Sequence, residues 1–169
     1  KGACDISLKD LAAQSDGVIL IALPQADHIE FAAGLRRLKK ALPGLRYIAA
    51  SYLYRGNDRA RVNFLDRLAR ENRMSILATN DVHYHAAERR PLQDVMTCIR
   101  EKTTIAKAGF LLHANAERLL KSPDEMIALF SEWPHAIRAT RDVADACTFN
   151  LTELSYEYPK EVVPAGRTP

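Results

Sequence analysis

The chain has 169 residues, 47% of them apolar and 27% charged, a balance that excludes a disordered tail and fits one globular domain or one domain with an appendage. No run approaches the roughly 18–20 consecutive apolar residues that a membrane helix needs, so a membrane role is excluded. The net charge of +3 hides an uneven distribution: residues 34–73 carry eleven Lys/Arg against three Asp/Glu, and residues 122–161 carry three against eight. One end therefore suits an anionic partner that the other repels, unless both simply line solvated helix faces.

Along the chain, Ser7 can cap a short helix through Gln14. The apolar stretch of residues 18–23, opened by Gly17 and ended by Pro24, reads as a strand. Asp27 sits where an N-cap belongs, and Ile29, Ala32, Ala33, Leu35, Leu38 and Leu42 recur at helical spacing until Pro43-Gly44. Residues 46–51 read as a second strand. Asn57 or Asp58 caps the next helix, with Val62, Leu65, Leu68 and Ala69 as its apolar stripe and Arg59, Asn63, Arg67 and Arg70 on its wet face. Residues 75–79 form a third strand.

This β-α-β-α-β order, with strands apolar throughout rather than alternating, predicts a parallel sheet covered by helices: the fold class is α/β. Three strands neither close a barrel nor complete a doubly wound sheet. Together with Lys1 in place of an initiator Met, that leads us to expect a piece of a larger α/β unit.

Beyond Asp81 the pattern turns helical. Residues 89–100 form one candidate, with Leu92, Val95, Met96 and Ile99 facing inward, and residues 115–121 a second. Ser122-Pro123-Asp124-Glu125 is a helix start with an N-cap serine, proline at the first position and a capping-box glutamate. Met126, Ile127, Leu129 and Phe130 follow. Trp133 is expected to anchor a helix junction. Pro134 opens a last helix to about Cys147, with Ile137, Val143 and Ala144 inward. Residues 148–169, punctuated by Pro159, Pro164, Gly166 and Pro169, read as an extended linker.

The three cysteines, Cys4, Cys98 and Cys147, form no CxxC pair and are expected to be buried free thiols. With no secretory signal at the start, they fit a reducing cytoplasm.

The segment richest in chemistry is Asn80-Asp81-Val82-His83-Tyr84-His85. It follows the third strand directly, and the carboxyl ends of parallel strands are where such sheets place ligand-binding residues. Residues two apart in extended chain point the same way, so Asp81, His83 and His85 can converge. A carboxylate with neutral imidazoles suits Zn, Mn or Fe, but a working site needs at least three protein ligands. His28 and His113 lie far away in sequence, and nothing in the pattern draws them in. On the plainer reading, Asn80 and Asp81 shape the turn while the histidines bond nearby backbone. Tyr52-Leu53-Tyr54-Arg55-Gly56 at the second strand exit either presents aromatic and cationic groups to a phosphate or base, or packs its tyrosines on a helix. Arg55 and Arg59 are the candidate phosphate or DNA contacts. No P-loop, GxGxxG or GxSxG pattern is present.

The segments LYRGND, ATNDVHYH, RRPLQDVMTCIRE and AERLLKSPDEM, with the terminal SYEYPKE, resemble bacterial C-family DNA polymerases of the DNA polymerase III alpha type, and among them the error-prone branch used in damage-induced mutagenesis. The resemblance covers nearly the whole chain. It implies that residues 1–115 are the C-terminal part of a polymerase-and-histidinol-phosphatase (PHP) domain, a distorted β/α barrel. Residues 116–148 would then be a helical extension and residues 149–169 a linker toward the polymerase core.

By the same resemblance, Asp81 and His83 stand at the family's last metal-ligand motif, Asp-x-His. The early His-x-His motif is absent, and Arg55 occupies a position where metal-binding relatives often carry histidine. Arginine stays protonated and is no ordinary ligand. The implied cofactor is thus a partial Zn or Mn site, with Mg serving the parent polymerase. The implied activity is error-prone, DNA-directed DNA synthesis across lesions, with this segment as scaffold and without its own catalytic residues. Implied partners are DNA, other mutagenesis proteins and a sliding clamp. Two other functions fit the residues: a metal-dependent phosphoesterase or 3′–5′ exonuclease using Asp81 and His83, and a basic module using Arg36, Arg37, Lys39, Lys40 and the arginines of residues 58–73.

Overall fold

A computed structural model describes residues 4–24 and 28–155. Its centre is a three-stranded parallel sheet in the order β1 (Ile21–Ala22), β2 (Tyr47–Ser51), β3 (Ser75–Thr79). Tyr47 pairs with Ser75 and Ser51 with Thr79, so β2 and β3 end level with one another. Helices α2 (His28–Ala41) and α3 (Asp58–Glu71) make the crossovers, as the apolar strands and intervening helical stripes predict.

One sheet face carries the core. Ala22, Ile48, Ala50, Ile76 and Ala78 pack with Phe31 and Leu35 of α2, with Leu42 just beyond its end, and with Val62, Leu65, Leu68 and Ala69 of α3. Helix α6 (Pro123–Leu129) and helix α7 (Pro134–Ala146) close this core through Phe130, Trp133 and Ala136. Trp133 is the expected anchor: its ring meets Phe130 edge-on at 6.2 Å, and its indole N–H donates to Asn63 Oδ1 at 3.1 Å. The Thr140 hydroxyl donates to the Ala78 carbonyl at 2.9 Å, tying α7 to β3.

The helix starts follow their local chemistry. Ser7 caps α1 (Leu8–Ala13), and Ser122 forms the expected capping box with Glu125. At α3 the N-cap position belongs to Asn57, which makes no side-chain cap bond, while the buried Asp58 reaches backward to accept the N–H groups of Leu53 at 2.8 Å and Arg55 at 2.5 Å.

Several expectations are corrected. The first strand pairs over two residues only, and Val18, Ile19 and Leu23 are exposed, because no described strand lies on its outer side. In α2, Ile29 and Ala33 lie outside the inward line, which runs through Phe31, Leu35 and Leu42. The expected cap Asp27 lies outside the described residues. In α4 (Arg90–Arg100), the stripe of Leu92, Val95, Met96 and Ile99 faces outward, while Thr97 and Cys98 are buried. That helix is held instead by polar contacts, with the Arg90 guanidinium donating to the His113 carbonyl at 2.5 Å and paired with Asp94 at 3.5 Å.

Residues 105–111, read as no element, form the short helix α5 (Ile105–Ala108) and a 3-10 turn (Gly109–Leu111). Residues 115–121 are not helical: Leu119 bridges Tyr84 in parallel, and the Asn80 amide engages the carbonyls of Glu117 and Leu119, which a helix would need for its own bonds. In α7 the buried line is Ala136 and Ala139, with Ile137 and Val143 half-buried and Ala144 exposed. Of the cysteines only Cys98 is buried; Cys4 and Cys147 are exposed. The expected linker holds a 3-10 turn (Leu151–Glu153), and its residues 156–169 lie outside the described residues.

Candidate functional site

The ends of β2 and β3 open into two turns that carry the candidate residues. Both turns need a left-handed residue that is not glycine, Tyr54 at φ 53° and Asp81 at φ 45°. Such conformations persist only where the surroundings hold them. After β2, Asp58 grips the turn from inside and Asn115 donates its amide to the Leu53 carbonyl at 2.6 Å. After β3, the buried Asn80 donates to the carbonyls of Glu117 and Leu119, each at 2.7 Å. Asn80 therefore serves a remote segment rather than its own turn.

That remote segment delivers Arg118. Its carbonyl accepts the His83 N–H at 2.8 Å, and its buried guanidinium pairs with the Asp81 carboxylate. The other Asp81 oxygen lies 3.7 Å from His83 Nε2, so the two candidate ligands do come together. The His113 ring meets the His83 ring edge-on at 5.0 Å. Tertiary packing thus draws in His113, which the spacing left apart, and Arg118, which no local pattern marked. His85 is exposed and, with His83, lines a cleft that also takes in Leu92 and Met96.

Positive charge dominates the site. Burial lowers the Arg118 pKa, and the neighbouring Arg55 and Arg61 lower it further. The same holds for Arg61, depressed first by burial and then by Arg55, with Asp58 opposing. His113 is held below the ordinary histidine value by burial, His83 and Arg55. Guanidinium groups keep their proton in proteins, so these directions record how costly positive charge is here.

The Asp-x-His pattern implies a metal ion held by Asp81 and His83. Among the described residues no group of three or more His, Cys, Asp or Glu could hold a metal ion. One Asp81 oxygen is already engaged by Arg118, whose guanidinium feels the further positive charge of Arg55 and Arg61. The described donors do not fit a catalytic Zn, Mn or Fe ion, and no chemical step is derived through one.

The other candidates separate. Tyr52 is half-buried against the core, whereas Tyr54 is exposed and meets it edge-on at 5.5 Å. Both border an open groove of about 590 Å³ with Arg59 and Asn63. Arg59 is paired with Glu132 at 2.8 Å, while Arg55 is exposed and makes no ion pair among the described residues. Of the basic cluster on α2, Arg36, Arg37 and Lys40 are exposed, but the Lys39 ammonium is committed to the carbonyls of Pro43 and Leu45 at 3.1 and 2.6 Å. No described helix is long and apolar enough to cross a membrane.

No family model matches the chain. It is 46% identical over 170 residues to a protein of Bradyrhizobium diazoefficiens named error-prone DNA polymerase, covering 99% of this chain and 15% of the relative. Proteins of the same name from Caulobacter vibrioides and Rhodopseudomonas palustris are 43% and 46% identical, again over 99% of this chain, and it covers 16% and 15% of them. The chain is thus similar from end to end to one segment of bacterial error-prone DNA polymerases, and spans about one sixth of their length.

Proposed function

We propose that this chain is the scaffold segment of an error-prone DNA-directed DNA polymerase, the later part of its PHP-type β/α domain with a short helical extension. The observation that carries the reading is its similarity, over 99% of its length, to proteins that bear that name. The parallel sheet, with its charged residues gathered at the strand exits, agrees with a partial barrel of that type. In this reading Asp81 and His83 stand at the positions of a metal motif, and the Arg118 guanidinium supplies the positive charge that a metal supplies elsewhere.

The parent enzyme extends primers past lesions with Mg at a polymerase centre outside this segment, working in the cytoplasm with DNA, a sliding clamp and other mutagenesis proteins. Arg55 and Arg59 are the DNA-facing cations. A separate phosphoesterase or exonuclease activity is disfavoured by the donor set. A purely electrostatic DNA module is weakened by the commitment of Lys39 to backbone carbonyls.

The test is primer extension across an abasic site by the complete polymerase that contains this segment, with metal content measured alongside. Asp81→Asn and His83→Ala are expected to leave extension within about twofold of the parent, because neither touches the reacting phosphate. A full equivalent of tightly bound metal that both substitutions abolish, together with lost nuclease activity, would replace the scaffold reading with a catalytic one.

A further inference from the structure

The amino ends of the strands, opposite the Asp81 turn, carry a second concentration of charge. Helices α2 and α3 each run back to the start of the next strand, so their last turns and the connections that follow meet at this rim of the sheet. The two connections touch: the Ser75 N–H at the start of β3 donates to the carbonyl of Arg46, just before β2, at 3.0 Å. Lys40, Arg46, Arg67, Arg70 and Arg73 lie on these last turns and connections, and all five are exposed. Arg70 is paired with Asp66 at 2.7 Å, whereas the other four make no ion pair among the described residues. Glu71 is the one further acid within residues 36–46 and 66–74.

Two observations bear on what this rim meets. Arg73 stands at the left-handed position that ends α3, with φ 55°, where the Met74 N–H donates to the Ala69 carbonyl at 2.8 Å and its own N–H to the Arg70 carbonyl at 3.1 Å. Such a helix end favours glycine, so the chain keeps a charge on the rim against the preference of the backbone. The rim is also without apolar surface: no large hydrophobic side chain is exposed between Ile29 and Tyr54 or between Tyr54 and Val82. Protein interfaces have an apolar centre, whereas a phosphate backbone is held by charge alone.

We propose that this amino-end rim is a contact surface for the phosphate backbone of duplex DNA, held through Lys40, Arg46, Arg67 and Arg73 without reading of the bases. Lys39 is committed to the carbonyls of Pro43 and Leu45 and takes no part. The surface is accordingly a weak, supporting contact rather than a module that grips DNA by itself. It lies at the far end of the sheet from Arg55 and Arg59, and it goes beyond the polymerase reading: either can fail without the other.

The test is an anisotropy titration of a labelled duplex of about 20 bp with the 169-residue chain, between about 20 and 200 mM KCl. A Kd of about 10–100 μM at the low-salt end is expected, and four free cations set the slope of log affinity against log salt at about −3 to −4. Combining Arg46→Gln with Arg73→Gln is expected to weaken binding about tenfold and to bring the slope to about −2. Arg141→Gln, which removes an exposed cation paired with Asp145 on α7, is expected to bind like the parent. A flat salt profile, or a double variant with the affinity and slope of the parent, overturns the proposal. Should Arg73→Gln disturb its turn, Arg46→Gln alone decides: a slope shallower by about one supports the contact and an unchanged slope overturns it.

Poly-L-glutamate at equal charge concentration distinguishes the partner. Binding at least about tenfold weaker than to the duplex is expected, because B-DNA carries about one charge per 1.7 Å and releases condensed counterions. Poly-L-glutamate that binds as tightly as the duplex, with the same loss in the double variant, makes an acidic protein the partner and overturns the DNA assignment.

Discussion

Helices α3 and α4 carry apolar stripes of similar spacing and meet opposite fates. On α3, Val62, Leu65, Leu68 and Ala69 are at most 4% exposed, packed on the sheet in the core that α2 and α7 share. On α4, Leu92, Val95, Met96 and Ile99 are 45–72% exposed, and nearby Ile105, Phe110 and Leu111 are exposed too. Periodicity records that a helix has an apolar face; it does not say which surface covers that face. For α3 the covering surface is the sheet, which the β-α-β connection brings directly beneath it. For α4 no described element supplies one, and the Arg90 guanidinium, which donates to the His113 carbonyl, ties the helix down instead.

The largest effect that tests this contrast is a pair of core and surface truncations. Leu65→Ala is expected to cost about 3–4 kcal/mol, from lost burial and the cavity left behind, and Met96→Ala under about 0.5 kcal/mol. Urea unfolding followed through Trp133 fluorescence measures both. A comparable loss for Met96→Ala would mean that α4 is covered in solution, and the contrast would break.

Helix starts supply the next effect. Removing the Asp58 carboxylate leaves two backbone N–H groups without their acceptor, so Asp58→Ala is expected to cost about 2–3 kcal/mol and Asp58→Asn less. At α4 the N-cap position is Arg89, which makes no side-chain cap bond, so Arg89→Ala should leave unfolding nearly unchanged. Similar losses in Asp58→Ala and Arg89→Ala would remove the distinction between the two helix starts.

The smallest effect sits at α6. Hydrogen bonds from Ser122 hold the Glu125 carboxyl below the ordinary glutamate range. A folded pKa below the unfolded one means that the cap stabilises at pH above the unfolded value and is lost as the pH falls through the folded value. Acid titration followed by amide exchange in α6 should show fraying in that window, and Glu125→Gln should flatten the dependence. A profile unchanged by Glu125→Gln would sink this assignment.

Much of the fold was legible in local chemistry. The uninterrupted apolar strands gave the parallel sheet, the Val62–Ala69 stripe its inward face, and Ser122-Pro123 a helix start, because each follows from nearby residues. The site was legible in part. Asp81 and His83 converge as their two-residue spacing suggests, yet His113 lies 30 positions beyond His83 and Arg118 lies 37 beyond Asp81, and no local pattern links them. The expected helix over residues 115–121 failed for a related reason: the amides of Asn80 and Asn115 and the bridge at Tyr84 hold that stretch extended.

What the sequence determined by itself was the order and type of the central elements and the excess of positive charge over residues 34–73, since side-chain spacing and charge are local properties. The tertiary structure decided which apolar faces are covered, that an arginine rather than a third acid or imidazole meets Asp81, and that Arg61 Nη1 is buried with no hydrogen-bond partner among the described residues. Those outcomes depend on which distant backbones pack together, and burial sets the energetic consequence of each charge only after that packing is made.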